Sequence, residues 1–297
     1  MAETTRIEWC DATWNPWIGC TKISPACDHC YASVSTPARS MRIVWGAGQS
    51  RHRTSAGNWK LPERWNKQVF AECPECGWRG EQRNAICGCD CPSCMQPGVL
   101  VSARRRVFCA SLADVFDNEV PAQWRIGLMK LICETPHLDW LLLTKRIGNA
   151  SAMLETAFRA VHHQREGWAD NIPPNVWIGA TICNQEEADR DIPKLLTVPA
   201  VRHFLSMEPL LGPVQLPEVF MKRLHFDGKD HDYPDNAGMI NWVIVGGESG
   251  HKARPMHPDW AYSLQEQCKE SGVPFFMKQM TKKAEIPADL MTRWFPQ

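Results

Sequence analysis

Three cysteines, Cys20, Cys27 and Cys30, stand at C-x6-C-x2-C spacing in a segment punctuated by Gly19, Ser24 and Pro25. Such a segment stays irregular, so its thiols can converge on one centre. Three close thiolates suit a metal. A structural zinc takes four protein ligands, whereas an iron–sulfur cluster held by three cysteines leaves one iron open to a further ligand. Spacing alone leaves open a cluster of that kind, a zinc site completed by His29 or Cys10, and ordinary thiols.

A second cysteine set follows. Cys73-Pro74-Glu75-Cys76 and Cys91-Pro92-Ser93-Cys94 are two C-x2-C knuckles separated by fourteen residues. Tight turns at such knuckles aim backbone N–H groups at the sulfurs, and four thiolates at this spacing can surround Zn2+ tetrahedrally. Cys87 and Cys89 lie near enough to compete as ligands. The spacing predicts a zinc ribbon over residues 70–100, a module of ~30 residues too short to fold without its metal.

The elements that must position these groups show a repeating rhythm. Apolar runs at Val107–Ser111, Trp140–Leu143, Asn175–Thr181, Val201–Leu205, Asn241–Val245 and Val273–Lys278 read as strands. Helical spacing over Pro121–Cys133, Ala150–His162, Glu186–Leu196 and Pro258–Glu270 separates most of them. Continuous apolar strands alternating with amphipathic helices predict an α/β fold, a partial or full parallel (β/α) barrel. The cysteine loop needs a short strand just before Cys20 to join it. Each strand ends in polar residues: Ser111 and Asp114, Thr144 and Lys145, Thr181 and Cys183, Ser206 and Glu208, Glu248 and Ser249. In a parallel barrel these ends share one face, where active sites form. Taken singly, each is as well explained by a helix cap or a loop hydrogen bond. Cys183 is expected at that mouth with Lys145 and Glu208, although a small thiol also suits a core.

The chain divides into an N-terminal cluster-binding part of the barrel (1–69), the inserted ribbon (70–100) and the remainder of the barrel (101–297). At 297 residues it can bury a large core, and no stretch is long and apolar enough for a membrane span. Residues 1–6 lack an apolar signal core, so a cytoplasmic location is expected. Fourteen cysteines in that reducing compartment argue for metal ligation over disulfides. Formal net charge is zero, so no global field marks a nucleic-acid partner. A local one stands at Arg39–Lys67, where cations alternate with Trp45, Trp59 and Trp65, a pattern shared by strand-binding grooves and ordinary solvated faces. Trp9, Trp14 and Trp17 precede the cysteine loop, as shields for a cluster or as core.

The cysteine loop, with Ser111-Leu112-Ala113-Asp114-Val115-Phe116, Leu143-Thr144-Lys145-Arg146, Phe204–Pro213 and Val245-Gly246-Gly247-Glu248-Ser249-Gly250, resembles a phage- and prophage-associated radical S-adenosylmethionine-like family. That family is distantly similar to spore photoproduct lyase, a radical enzyme that repairs DNA. The likeness covers nearly the whole chain apart from the ribbon and a segment around Phe220–Gly238, both of which read as insertions. It implies a [4Fe–4S] cluster on Cys20, Cys27 and Cys30. S-adenosylmethionine would bind the fourth iron and be cleaved to a 5′-deoxyadenosyl radical. Ser111, Asp114, Thr144, Glu208, Gly246, Gly247, Glu248 and Ser249 are the implied cofactor-binding set, Asp114 and Glu248 being rivals for the methionine amine. Lys145 and Cys183 are the implied catalytic pair, with Cys183 as hydrogen-atom donor. The implied substrate is a nucleic-acid base or nucleotide, and the implied partner an electron donor. Most radical S-adenosylmethionine enzymes use C-x3-C-x2-C with an aromatic before the last cysteine; here the first gap is wider and His29 takes that place. A non-catalytic zinc-binding adaptor of phage origin is the rival reading. A hydrolase using Glu208 or Glu248 lacks a His-rich ligand set to hold its metal.

Overall fold

The computed structural model describes residues 5–85, 89–163, 167–217, 238–250 and 252–296. The apolar runs form strands β1 (Ala12–Thr13), β2 (Arg105–Cys109), β3 (Leu138–Thr144), β4 (Val176–Thr181), β5 (Arg202–Met207), β6 (Trp242–Gly246) and β7 (Phe275–Gln279). They pair in chain order as one seven-stranded sheet, with every ladder parallel. Helices α1 (Ala122–Glu134), α2 (Ile147–Val161), α3 (Gln185–Thr197) and α4 (Pro258–Ser271) follow β2, β3, β4 and β6. Their ends obey local chemistry. The Asn184 side chain accepts from the Glu187 N–H to open α3, and Gly272, at φ 69°, closes α4 in the left-handed region that suits glycine.

Both faces of the sheet are covered, which is why the strands read as unbroken apolar runs. Along β3 the side chains alternate: Trp140 and Leu142 pack under the helices, whereas Leu141 joins an inner cluster with Trp9, Phe108, Trp177, Phe204, Trp242 and Phe276. That inner cluster reveals a curl. Strands β2 and β6 are four ladders apart, ~19 Å in a flat sheet. Yet the Trp9 ring lies 4.7 Å from Phe108 on β2 and 6.3 Å from Trp242 on β6. The sheet therefore wraps around Trp9. Among the described residues no ladder joins β7 back to β1, so the expected barrel is an open half-barrel. Gly179 makes the inner packing possible, since a Cβ there would sit 2.4 Å from the Phe204 ring.

The strand needed before Cys20 is β1, two residues long and set further back. It is short because the chain turns at Asn15 and Pro16, after which Trp17–Ile18 pairs antiparallel with His52–Arg53. Gly19 returns to the sheet through a parallel bridge to Ala113. Asn15, buried, ties the turn to the end of β2 by accepting from the Leu112 N–H at 2.7 Å. Residues 70–103 include a separate antiparallel sheet, with Phe70–Glu72 between Arg79–Glu81 and Val101–Ala103. It is docked on the half-barrel by the buried Arg105–Glu81 ion pair (2.9 Å) and by Arg79 against Asp11 (3.1 Å). Of the segment 220–238 only Gly238 is described, so the expected insertion there lies outside the described residues. No helix among the described residues is long and apolar enough to cross a membrane.

Candidate functional site

The cysteine loop lies across the C-terminal ends of the strands and is held from several sides. Ser24 donates to buried Glu187 of α3 at 2.6 Å and also caps the 3-10 turn Pro25–Cys27 by accepting from the Ala26 N–H. Arg146, just after β3, donates to the Thr21 carbonyl (2.7 Å) and to the Cys20 sulfur (3.4 Å). Arg254, beyond β6, donates to the Pro25 carbonyl (2.9 Å) and pairs with Asp28 (3.2 Å). The Tyr31 hydroxyl donates to the Ser111 carbonyl at 3.0 Å. The loop, irregular apart from short 3-10 turns, is thereby fixed by residues that follow four of the strands, which is what a ligand-presenting loop requires.

Beneath it is one cavity lined by Cys20, Cys27 and Cys30. The same cavity is lined by Ser111, Asp114, Thr144, Lys145, Thr181, Ser206, Glu208, Glu248 and Ser249. The strand-end residues singled out by sequence thus converge with the three thiols. Three expected members stand apart. Gly246 and Gly247 do not line the cavity; a Cβ on Gly247 would meet the Thr281 backbone nitrogen at 2.3 Å, so this glycine serves close packing. Cys183 is wholly buried, and its thiol is pushed up to about 12 by burial and by Glu187. Its backbone N–H donates to Glu187 at 2.9 Å. It packs behind the loop and not at the mouth, because the chain turns there into the Asn184 cap. Of the three early tryptophans only Trp9 reaches the cavity; Trp14 and Trp17 lie in the core beneath the helices.

The two acids that competed for one role are both engaged. Asp114 accepts from Thr144 Oγ1 (2.7 Å), the Phe116 N–H (2.9 Å) and the Lys145 N–H (3.1 Å), and so fixes the β3 turn. Glu248 accepts from the Arg254 guanidinium (2.6 Å) and backbone N–H (2.7 Å), and its Oε2 lies 2.8 Å from His29 Nδ1. Burial opposes ionisation of Glu248, but these hydrogen bonds outweigh it and hold the carboxyl down to about 2, from an ordinary 4.5. A depressed carboxylate pKa contributes stability above the unfolded value and loses it as pH falls through the folded one. Glu248→Gln should therefore be less stable than wild type above pH 4.5, with the gap narrowing steadily between pH 4.5 and 2. Thermal unfolding across that window checks this; a gap independent of pH would refute it.

Glu208 pairs with Lys278 on β7 (2.5 Å) and accepts from Gln279 (3.2 Å). The Lys145 ammonium donates to Thr181 Oγ1 at 3.4 Å. It is a cavity cation without a carboxylate partner among the described residues.

The two cysteine sets differ in geometry. Tetrahedral Zn–S bonds of about 2.3 Å put the sulfurs ~3.8 Å apart. The Cys73–Cys94 and Cys76–Cys91 sulfurs are 3.7 and 3.6 Å apart, and all four lie within 4.8 Å of one another. That group could hold a metal ion such as zinc. The knuckle turns supply the expected N–H groups: Ser93 donates to the Cys91 sulfur, and the Trp78 N–H is the foremost influence lowering the Cys76 thiol. Cys89 turns toward Asp90 and is outside the group, while Cys87 lies outside the described residues. Among the described residues, Cys20, Cys27 and Cys30 do not form a close group of that kind. Neither proposed fourth zinc ligand gathers with them: Cys10 does not line the cavity and donates to the Ile7 carbonyl, and His29, which lines it with Nδ1 on Glu248, forms no close group with the three sulfurs. Burial, reinforced by Asp114 and opposed by Arg146, raises the Cys20 thiol to about 11, so binding a metal there releases a proton.

Arg146, Arg254 and Lys278 were not in the sequence-derived site. Arg146 and Lys278 were visible only as the last residues of strand-end motifs, and Arg254 follows Gly250 in a stretch without periodicity. No pattern marks a side chain whose partners are 70 to 229 positions away. No curated protein and no solved structure matches the chain. A family match spans residues 4–291, almost its entire length including cysteine loop, ribbon and half-barrel, and the chain belongs to that family, described as Protein of unknown function (DUF5131).

Proposed function

We propose that the protein is a radical S-adenosylmethionine enzyme acting on a nucleic-acid base or nucleotide, with a [4Fe–4S] cluster on Cys20, Cys27 and Cys30. One observation carries the reading: three thiols on a loop anchored by residues that follow four of the strands share a cavity with the polar C-terminal ends of a parallel half-barrel. The donor set fits. It offers three thiols lining one cavity and, among the described residues, no close fourth protein ligand, so a cluster held there would keep one iron for the cofactor. When bound, cluster and S-adenosylmethionine supply the 5′-deoxyadenosyl radical, and the protein supplies binding, orientation and exclusion of water.

The chain's own residues divide that work. Trp9 and Phe108 give the cavity an apolar wall. Lys145, beside Thr181, is placed to hold an anionic group of a ligand. The Glu208–Lys278 pair offers carboxylate oxygens held in place at the cavity wall, suited to accept hydrogen bonds from hydroxyl or amino groups. Asp114 keeps the Lys145 backbone in place, and Glu248 with Arg254 holds the loop shut over the cavity. An external electron donor completes the chemistry, and zinc at Cys73, Cys76, Cys91 and Cys94 holds the ribbon. Anaerobic reconstitution tests the assignment. Iron at about four per chain beside zinc at about one, with a brown chromophore, is expected; zinc alone at both cysteine sets would replace this reading with the zinc-binding adaptor.

A further inference from the structure

The surface beside the cavity mouth carries a charge asymmetry that the whole chain lacks. Residues 21–53 include five basic side chains, Lys22, Arg39, Arg42, Arg51 and Arg53, against one acid, Asp28, in a chain of zero net charge. Arg51 is buried against Asp117 and pairs with Glu119, whose carboxylate also accepts from the Gly48 N–H, and Asp28 is taken by Arg254. Arg39 and Arg42 are exposed, with no ion pair among the described residues. Apolar side chains stand in the same segment where water would normally exclude them: Val34, Met41 and Val44 are 64, 49 and 60 % exposed. Tyr31 and Trp45 connect this surface to the cavity, which both of them line. The Tyr31 ring is half exposed while its hydroxyl is held by the Ser111 carbonyl.

Unpaired cations, exposed apolar groups and a fixed aromatic ring at a cavity entrance are the components of a single-strand site, where cations follow the phosphates and rings stack on bases. We infer that residues 21–53 form a docking face for single-stranded nucleic acid, with the backbone over Arg39 and Arg42 and one base turned past Tyr31 into the cavity. The inference rests on the cavity being the reaction site and narrows its substrate from nucleotide to strand. A duplex would have to unstack that base first, at a cost of a few kcal/mol. An acidic electron carrier would also suit the cations, but it has no use for an aromatic ring at the cavity entrance.

The test is fluorescence anisotropy of the reconstituted full chain with a labelled single strand of about 12 nucleotides and with the matching duplex. The single strand is expected to bind at least about tenfold more tightly, since the duplex must open. R39E/R42E should weaken it by about tenfold or more and flatten the salt dependence by about 1.4, the share of two phosphate contacts on a single strand. Iron and zinc contents equal to wild type show that the variant is folded. Absence of single-strand binding, preference for duplex, or affinity unchanged in R39E/R42E would overturn the inference, as would an acidic electron carrier bound there in place of the oligonucleotide. The two readings fail separately. Formation of 5′-deoxyadenosine without oligonucleotide binding removes the docking face alone, and oligonucleotide binding without 5′-deoxyadenosine removes the radical chemistry alone.

Discussion

Cys27→Ala is expected to abolish iron binding at the cysteine loop, from about four iron atoms per chain to near none, while the half-barrel stays folded. Three thiolates are the minimum protein set for a cluster with an open iron, so losing one leaves two ligands for four metals. The fold does not depend on them. Its core is the continuous apolar packing of β2 to β7 under α1 to α4, and the inner aromatic cluster around Trp9 contains none of the three. The loop keeps its anchors as well, since Ser24, Asp28, Pro25 and Thr21 make the contacts to Glu187, Arg254 and Arg146. Unfolding free energy should change by about 1 kcal/mol, an ordinary value for a small side-chain truncation. Metal analysis beside denaturant unfolding gives both numbers. Full iron occupancy in the variant would remove the cluster from this loop.

Cys73→Ser should act in the opposite sense, leaving iron in place and dismantling the ribbon. The antiparallel sheet of residues 70–103 has strands of only three residues each, too little surface to fold unaided. Structural zinc in modules of this kind contributes about 10–16 kcal/mol of apparent binding free energy, which is their folding free energy. Cys73 is 1 % exposed and sits 3.7 Å from Cys94, so a hydroxyl in its place is both a poor zinc ligand and a buried polar group. Zinc should fall from about one per chain to near none, and limited proteolysis should cut within residues 70–103 many times faster than in wild type. Unchanged proteolysis would mean that the Arg105–Glu81 and Arg79–Asp11 contacts hold the ribbon without metal.

The parallel half-barrel was legible because buried strands leave an unmistakable trace. Wherever both faces are covered, as along Trp140-Leu141-Leu142-Leu143, the chain reads as an unbroken apolar run between helices. The convergence of Asp114, Thr144, Lys145, Glu208 and Glu248 followed from that topology alone, since parallel strands must end on one face. The group of Cys73, Cys76, Cys91 and Cys94, which could hold a metal ion, was legible from knuckle spacing. What stayed hidden depended on tertiary contact. Cys183 follows a strand end like its neighbours, but the Asn184 cap turns it away from the mouth, a rotation that no one-dimensional pattern records. Glu248 was visible as an acid after two glycines; its work as an anchor depends on Arg254 and on His29, 219 positions away. The curl of the sheet was equally unreadable, because Trp9 gives no sign in sequence that rings from β2 and β6 will close on it.

The most direct measurement is the fate of S-adenosylmethionine on reduced, anaerobically reconstituted protein, followed by chromatography of the nucleoside products. The account predicts 5′-deoxyadenosine formed by wild type and none by Cys27→Ala. Intact S-adenosylmethionine after prolonged incubation of wild-type protein carrying its full iron would contradict it.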